Sequence, residues 1–308
     1  MQRALLPSFT FEGERYVFSK MLGKGGTGAV GLYRRQRDDR QQERQLILKV
    51  SECNNPDGLR VSTQEIRRAT EAAALIGSQC QASLCELCGF DGKSLARLPL
   101  AYRWKGQCMY AIYEFFKYDL NQWLKAHPSR TSAVVTSLFR QVAAMILCLR
   151  STGYSYNDLK PENILVSDTD RGPKITIGDL GGIDKWGDPD ITITPLRLPY
   201  QNVRNVSWDS VDVLTSFLLG EVIFHLLLKP PHPDEAHPLD QLFSCLQDTP
   251  PDTCLGNISA ALESQMAHGL SLKDKRISDL AALAMNLTGY RGLKVLIPDL
   301  KTLDIFKQ

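Results

Sequence analysis

The sequence has no excess of charge of one sign: 36 Lys and Arg stand against 34 Asp and Glu, a formal net charge of +2. A surface so balanced does not build the positive field that holds a polyanion, and nucleic acid is set aside as a partner. Long uninterrupted apolar runs are missing too. The greasiest stretch, Val211 to Leu228, carries Asp212, Glu221 and His225, so it reads as a buried helix and no membrane span is expected. The first residues, Met1-Gln2-Arg3-Ala4-Leu5-Leu6-Pro7, show neither an apolar core nor a small-residue cleavage site, and no secretory signal is read there. Histidine is scarce, with 5 in the chain, and none stands near Cys85-Glu86-Leu87-Cys88. With Cys80 alone nearby and no second paired motif, a zinc site is disfavoured against structural or surface thiols. The 8 cysteines, without a leader, are expected as reduced thiols in a cytosolic compartment. On the same ground the sequons at Asn205, Asn257 and Asn286 are read as chance matches. Internal repeats and low-complexity tracts are absent.

What is present is apolar material in quantity. With 43% hydrophobic and 23% charged residues over 308 positions, the chain can bury a large core in one or two domains without disulfides. Residues 14–50 alternate apolar and polar positions, broken by the glycine run Gly23 to Gly28 and the charged stretch Arg34 to Arg44. This predicts three antiparallel strands, with the charged stretch as a solvated hairpin loop. Thr63 to Ile76 has helical spacing through Ile66, Ala69, Ala73 and Ile76, and Leu95 to Trp104 and Cys108 to Phe115 read as two further strands. After Phe115 the period changes. Leu120, Trp123 and Leu124 suit a short helix, and Ser132 to Arg150 a long one capped by Thr131 or Ser132 and ended by Gly153. From there onward helices are expected to dominate. The boundary between a small β-rich half and a larger helical half falls near Phe116 and Lys117.

Three motifs carry chemistry. Gly23-Lys24-Gly25-Gly26-Thr27-Gly28-Ala29-Val30 allows a tight turn that brings backbone N–H groups close to phosphate oxygens. Gly31-Leu32-Tyr33 continues as a strand, which disfavours the dinucleotide-binding type, where a helix follows. Next, Leu46-Ile47-Leu48-Lys49-Val50 is an apolar strand with one lysine. A strand-end lysine is ordinarily just solvated, but a half-buried ammonium needs anions, which ATP phosphates and a carboxylate supply. Glu71 is the choice for that carboxylate and Glu65 the alternative. Third come Tyr156-Asn157-Asp158-Leu159-Lys160-Pro161-Glu162-Asn163 and Asp179-Leu180-Gly181.

In the order and spacing of these motifs the chain resembles the eukaryotic-type Ser/Thr protein kinase family, from about Tyr16 to about Leu287. Tyr156 to Asn163 matches H-R-D-L-x-x-x-N at Asp158, Leu159 and Asn163, and Asp179-Leu180-Gly181 stands where D-F-G does. The resemblance implies an α+β, bilobal kinase-like fold: an extension over 1–15, an N-lobe over 16–116 with a small antiparallel sheet and one main helix, and a larger, mostly helical C-lobe over 117–308. It implies ATP with Mg²⁺, or Mn²⁺ in its place, as cofactors. Asp158 would accept the proton of a substrate hydroxyl, and Lys160 would stabilise the transferring phosphoryl group. Asn163 and Asp179 would hold the metal with hard oxygens. Gly23, Gly25 and Gly28 would cover the phosphates, with Lys49 paired to Glu71. Val30, Ile47 and Leu165 would sandwich adenine, and backbone groups of Glu114 and Phe116 would bond its edge, with Tyr113 behind. Thr194 to Gln201, Asp212 and Arg276 resemble the end of the activation segment, the helix Asp under the catalytic loop and the late arginine.

Departures from the pattern carry their own expectations. Asn157 replaces the Arg before the catalytic Asp, a divergent, non-RD arrangement in which a phosphorylated activation segment lacks its guanidinium partner. Activity is therefore expected to be independent of phosphorylation there. Tyr156 and Leu180 replace His and Phe, Gln201 replaces the A-P-E glutamate, and Ile47 is larger than the usual Ala. The long connection Gly77 to Ser94 holds three cysteines and has no readable role. The reading is a Ser/Thr protein kinase with a protein substrate. A pseudokinase scaffold and a small-molecule kinase are the alternatives. The expected location is cytoplasmic, a host cytoplasm included should the chain be a secreted bacterial effector.

Overall fold

The structure is a computed structural model and describes residues 5–25, 28–36, 44–51, 56–79, 97–185, 208–230 and 262–287. Its contacts divide the chain into two compact units, one of Met1–Glu71 with Arg97–Lys117 and one of Ala72–Ala96 with Tyr118–Gln308. A β-rich unit followed by a mostly helical one is a bilobal, kinase-like α+β arrangement.

The first unit is built on a six-stranded antiparallel sheet of order β1-β2-β3-β4-β6-β5, from β1 (Ser8–Phe11), β2 (Glu14–Gly25), β3 (Gly28–Arg35), β4 (Gln45–Ser51), β5 (Ala101–Lys105) and β6 (Cys108–Glu114). Period-two alternation decides its faces. Leu46, Leu48 and Val50 of β4 join Phe9, Tyr16 and Tyr33 in one buried cluster, while Ile47 and Lys49 project the other way. Phe9 ties the cluster together with rings of Tyr16 at 5.5 Å and Tyr33 at 4.9 Å. Phe9 belongs to the stretch read from sequence as an extension, and its strand pairs with β2 from Ser8↔Val17 to Phe11↔Glu14. The helix expected at Thr63 to Ile76 is α1 (Pro56–Gln79), longer by a turn or more at its start.

The second unit begins with β7 (Tyr118–Asp119) and α2 (Leu120–Ala126), which starts in a capping box formed by Asp119 and Gln122. Helix α3 (Ser132–Ser151) follows, its N-terminus capped by the Thr131 hydroxyl accepting from the Val134 N–H at 3.3 Å. Gly153, at φ +81°, turns the chain out of it. Among the described residues α3 is the helix long and apolar enough to cross a membrane by length and composition, and 72% of that stretch is buried inside this fold. Helices do not dominate immediately after it. β8 (Tyr154–Tyr156), β9 (Ile164–Thr169), β10 (Gly172–Ile177) and β11 (Ile183–Lys185) come first, forming β10-β9-β7 and β11-β8 sheets. Strands of three to six residues between glycines leave too short a period to read against the surrounding apolar sequence. Helices α4 (Trp208–Leu227) and α5 (Lys275–Leu287) complete the unit, with Leu214 to Leu228 wholly buried as expected of that greasy stretch.

One expectation is overturned. Cys108 and Cys148 are disulfide-bonded, not free thiols. The argument for a reducing compartment loses these two residues. Cys80, Cys85 and Cys88, Thr194 to Gln201, and the side chains of Asp212 and Leu180 lie outside the described residues.

Candidate functional site

In the first unit the glycines on either side of the run stand at the paired ends of β2 and β3. Gly23 pairs with Val30 and Gly25 with Gly28. Gly28 is required by space, since a Cβ there would overlap the Val50 carbonyl oxygen on the neighbouring strand. From the β3–β4–β6 register, Val30, Lys49 and Ala111 stand side by side on one face, with Ile47 opposite Tyr113. Ile47 is 4% exposed and Tyr113 8%, so both also serve as core.

The carboxylate beside Lys49 is that of Glu65, whose Oε2 lies 3.8 Å from Nζ. The expected partner Glu71 instead accepts from Arg67 Nε at 2.7 Å, one helical turn away. The cause is helical phase. Six residues at 100° each set the two carboxylates about 120° apart around α1, and the face buried by Ile66 and Ala69 brings the first of them, not the second, to the lysine.

Sequence reasoning missed Arg97. Its guanidinium lies over the rings of Tyr113 at 5.4 Å and Phe116 at 5.5 Å and donates to the Glu114 carbonyl oxygen. That oxygen belongs to the backbone expected to meet the adenine edge. Burial pushes the Arg97 pKa down to about 10, against the opposing influence of Tyr113 and Glu114. Nothing in Ala96-Arg97-Leu98-Pro99 marks this arginine in sequence.

In the second unit the loop Asn157 to Asn163 is held at several atoms. Lys160 Nζ donates to both carboxylate oxygens of Asp158, at 3.0 Å and 2.9 Å. Asn163 Nδ2 donates to Asp158 Oδ2 at 2.7 Å and to its backbone oxygen at 2.9 Å. Asp158 is thus a carboxylate fixed by Lys160 and Asn163 of its own loop, its side chain 13% exposed. The β9–β10 ladder runs to Ile164↔Ile177, and the Gly178 N–H donates to the Asn163 carbonyl at 2.8 Å. Asn163 and Asp179 are therefore neighbours by register. Asp179 is exposed, and its Oδ1 accepts from the Gly181 N–H at 3.0 Å. Leu165 packs onto Gly178, where a Cβ would approach its Cγ to 2.8 Å.

Tyr156, in place of His, is fully buried and donates its hydroxyl to the Asp179 carbonyl at 3.0 Å. Burial first, then the charges of Asp179 and Asp158, push its pKa well above the usual 10.0, so it remains a donor. Arg276 is exposed at the start of α5.

The exposed Asp179 carboxylate and the Asn163 amide oxygen are hard donors suited to Mg²⁺. Among the described residues no group of three or more His, Cys, Asp and Glu could hold a metal ion. An ion here would complete its shell with water and phosphate oxygens, as Mg²⁺ usually does.

No protein-family model matches the chain. Curated proteins similar to it are kinases. A probable CTD kinase subunit alpha homolog of Encephalitozoon cuniculi is 27% identical over 228 residues, 70% of this chain and 61% of that protein. The sporulation protein kinase mde3 of Schizosaccharomyces pombe is 26% identical over 238 residues, 71% and 39% respectively. The serine/threonine-protein kinase ATG1a of Arabidopsis thaliana is 29% identical over 124 residues, 39% of this chain and 20% of the relative. The chain thus spans between a fifth and about three fifths of the length of these relatives. Distant homology to several divergent Ser/Thr-type protein kinases, joined to the bilobal fold, supports membership of this chain in the eukaryotic protein kinase superfamily.

Proposed function

We infer that this chain is a protein kinase that transfers the γ-phosphate of ATP to Ser or Thr hydroxyl groups of a protein, without needing phosphorylation of its own activation segment. The observation that carries the reading is the Asp158 carboxylate clamped by Lys160 and Asn163, with Asp179 adjacent to Asn163 by register. Phosphoryl transfer needs positioned charge more than covalent help. Asp158 would orient the attacking hydroxyl and take its proton, and Lys160, already beside it, would face the negative charge on the transferring group. Asn163 and Asp179 would hold Mg²⁺, which neutralises phosphate charge when bound. Lys49, kept in place by Glu65, would meet the nucleotide phosphates, and Gly23, Gly25 and Gly28 would let backbone N–H groups approach them.

The test is incubation with labelled ATP, Mg²⁺ and generic protein acceptors beside Asp158→Asn and Lys49→Met, followed by phosphoamino-acid analysis. Wild type is expected to yield phosphoserine and phosphothreonine, and Asp158→Asn to lose at least about a hundredfold in rate while still binding ATP. Wild type binding ATP without transfer would make the chain a nucleotide-binding scaffold. Phosphotyrosine as the main product would overturn the acceptor, and activity lost after phosphatase treatment would overturn the independence.

A further inference from the structure

Asn157 occupies the position at which the resemblance leads one to expect an arginine offered to a phosphorylated segment. The structure turns its side chain inward. Asn157 is 1% exposed, and its Nδ2 donates to Oδ2 of Asp184, which is 0% exposed, at 3.2 Å. A carboxylate so buried is kept only where donors reach it.

Two further bonds cross the same gap. The Asn157 N–H donates to the Gly182 carbonyl at 2.9 Å, and the Tyr156 hydroxyl to the Asp179 carbonyl at 3.0 Å. The strands pair as Ile183↔Tyr156, Asp184↔Ser155 and Lys185↔Tyr154. Gly182 makes the close approach possible, because a Cβ there would come within 2.7 Å of the Tyr156 ring and 2.9 Å of the Asp158 Cβ. The Asn157–Asp184 bond therefore lies at the end of the β8–β11 ladder, one residue before Asp158, and reaches across to the segment that starts at Asp179.

We propose that Asn157 and Asp184 are a positioning pair: a carboxylate built into the chain holds the Asp158 loop against the Asp179 segment, the task an added phosphate serves where an arginine stands at position 157. The pair deepens the phosphotransfer reading and rests on it for its kinetic readout. The amide is neutral, so it takes the buried acceptor without presenting a guanidinium to a phosphate.

Asn157→Asp sets two carboxylates against each other, and adding Asp184→Asn exchanges donor and acceptor and restores the bond. Asn157→Asp is expected to lower kcat at least tenfold with the KM for ATP within twofold, and the exchanged double variant to recover to within threefold of wild type. Wild-type kcat in Asn157→Asp, or a double variant no faster than it, would overturn the pairing. Hydrogen exchange of peptides covering 154–158 and 181–185 gives a readout that does not need turnover. Exchange there should quicken at least tenfold in Asn157→Asp, return in the double variant, and stay unchanged over β9 and β10. Asp184→Ala, which removes the acceptor without adding charge, supplies the same measurement if Asn157→Asp does not fold. An inactive wild type whose ladder loosens and is rescued would fail the kinase reading and keep the pair. Exchange unchanged in every variant would fail the pair whatever the activity.

Discussion

Replacing Glu65 by Gln removes the carboxylate 3.8 Å from Lys49 Nζ. At that distance the gross attraction is about 4 kcal/mol for an effective dielectric near 20. The pair is half-buried, with side-chain exposures of 24% and 17%, so desolvation and residual screening take back most of it. A net coupling of about 1–2 kcal/mol remains, between an exposed pair and a fully buried one. If Lys49 must be held to meet nucleotide phosphates, that loss is about a 5- to 30-fold fall in kcat/KM for ATP. Glu71→Gln breaks the Arg67 pair, whose arginine is 76% exposed, a loss of about 0.3–0.5 kcal/mol of helix stability, and it leaves Lys49 with Glu65, so rates are expected within about twofold of wild type. Initial rates at varied ATP, with circular dichroism to confirm folding, measure both. Loss in Glu71→Gln with wild-type rates in Glu65→Gln would refute the assignment of the partner.

Arg97→Lys keeps the charge but loses the planar fork that stacks on Tyr113 and Phe116, so the first unit should lose about 1 kcal/mol of stability. An unchanged urea midpoint would contradict the contact. Tyr33 gives a pH dependence. Burial, with a smaller push from Tyr110, raises its pKa from 10.0 to about 12, and its hydroxyl donates to the Leu6 carbonyl at 2.6 Å. Between those values the unfolded chain has already lost the proton that the folded chain keeps, so stability is full below pH 10 and falls as pH rises toward 12. At pH 11 the loss is about 1.4 kcal/mol. Tyr33→Phe should be less stable at pH 9 yet lack this further fall to pH 11 in urea titrations, and equal falls in both proteins would refute the shift.

The lysine strand, the glycine hairpin and the Asp158 loop were legible because each is a local pattern. Strand alternation decides which residues of Gln45–Ser51 share a face, and a run of seven residues holds Asp158, Lys160 and Asn163 within reach of one another. The Lys49 partner was not legible. Two glutamates on one helix look equivalent in sequence, and only the rotation of α1 about its axis separates them. Arg97 was hidden for a similar reason. Its partners are Tyr113 in β6 and Phe116 just past the end of that strand, and no spacing rule joins them to it.

By itself the sequence determined the strands β2 to β6, the helices α1 to α3, the strand period and the nearness of Asp158, Lys160 and Asn163, since these depend on neighbours a few residues apart. Tertiary structure alone decided the pairings across distance: Lys49 with Glu65, Arg97 with the Glu114 carbonyl, and Asn157 with Asp184. The physical reason is common to all of them. A buried charge or amide is satisfied by whichever partner the packed backbone brings within hydrogen-bond reach, and that choice is made only once the chain has folded.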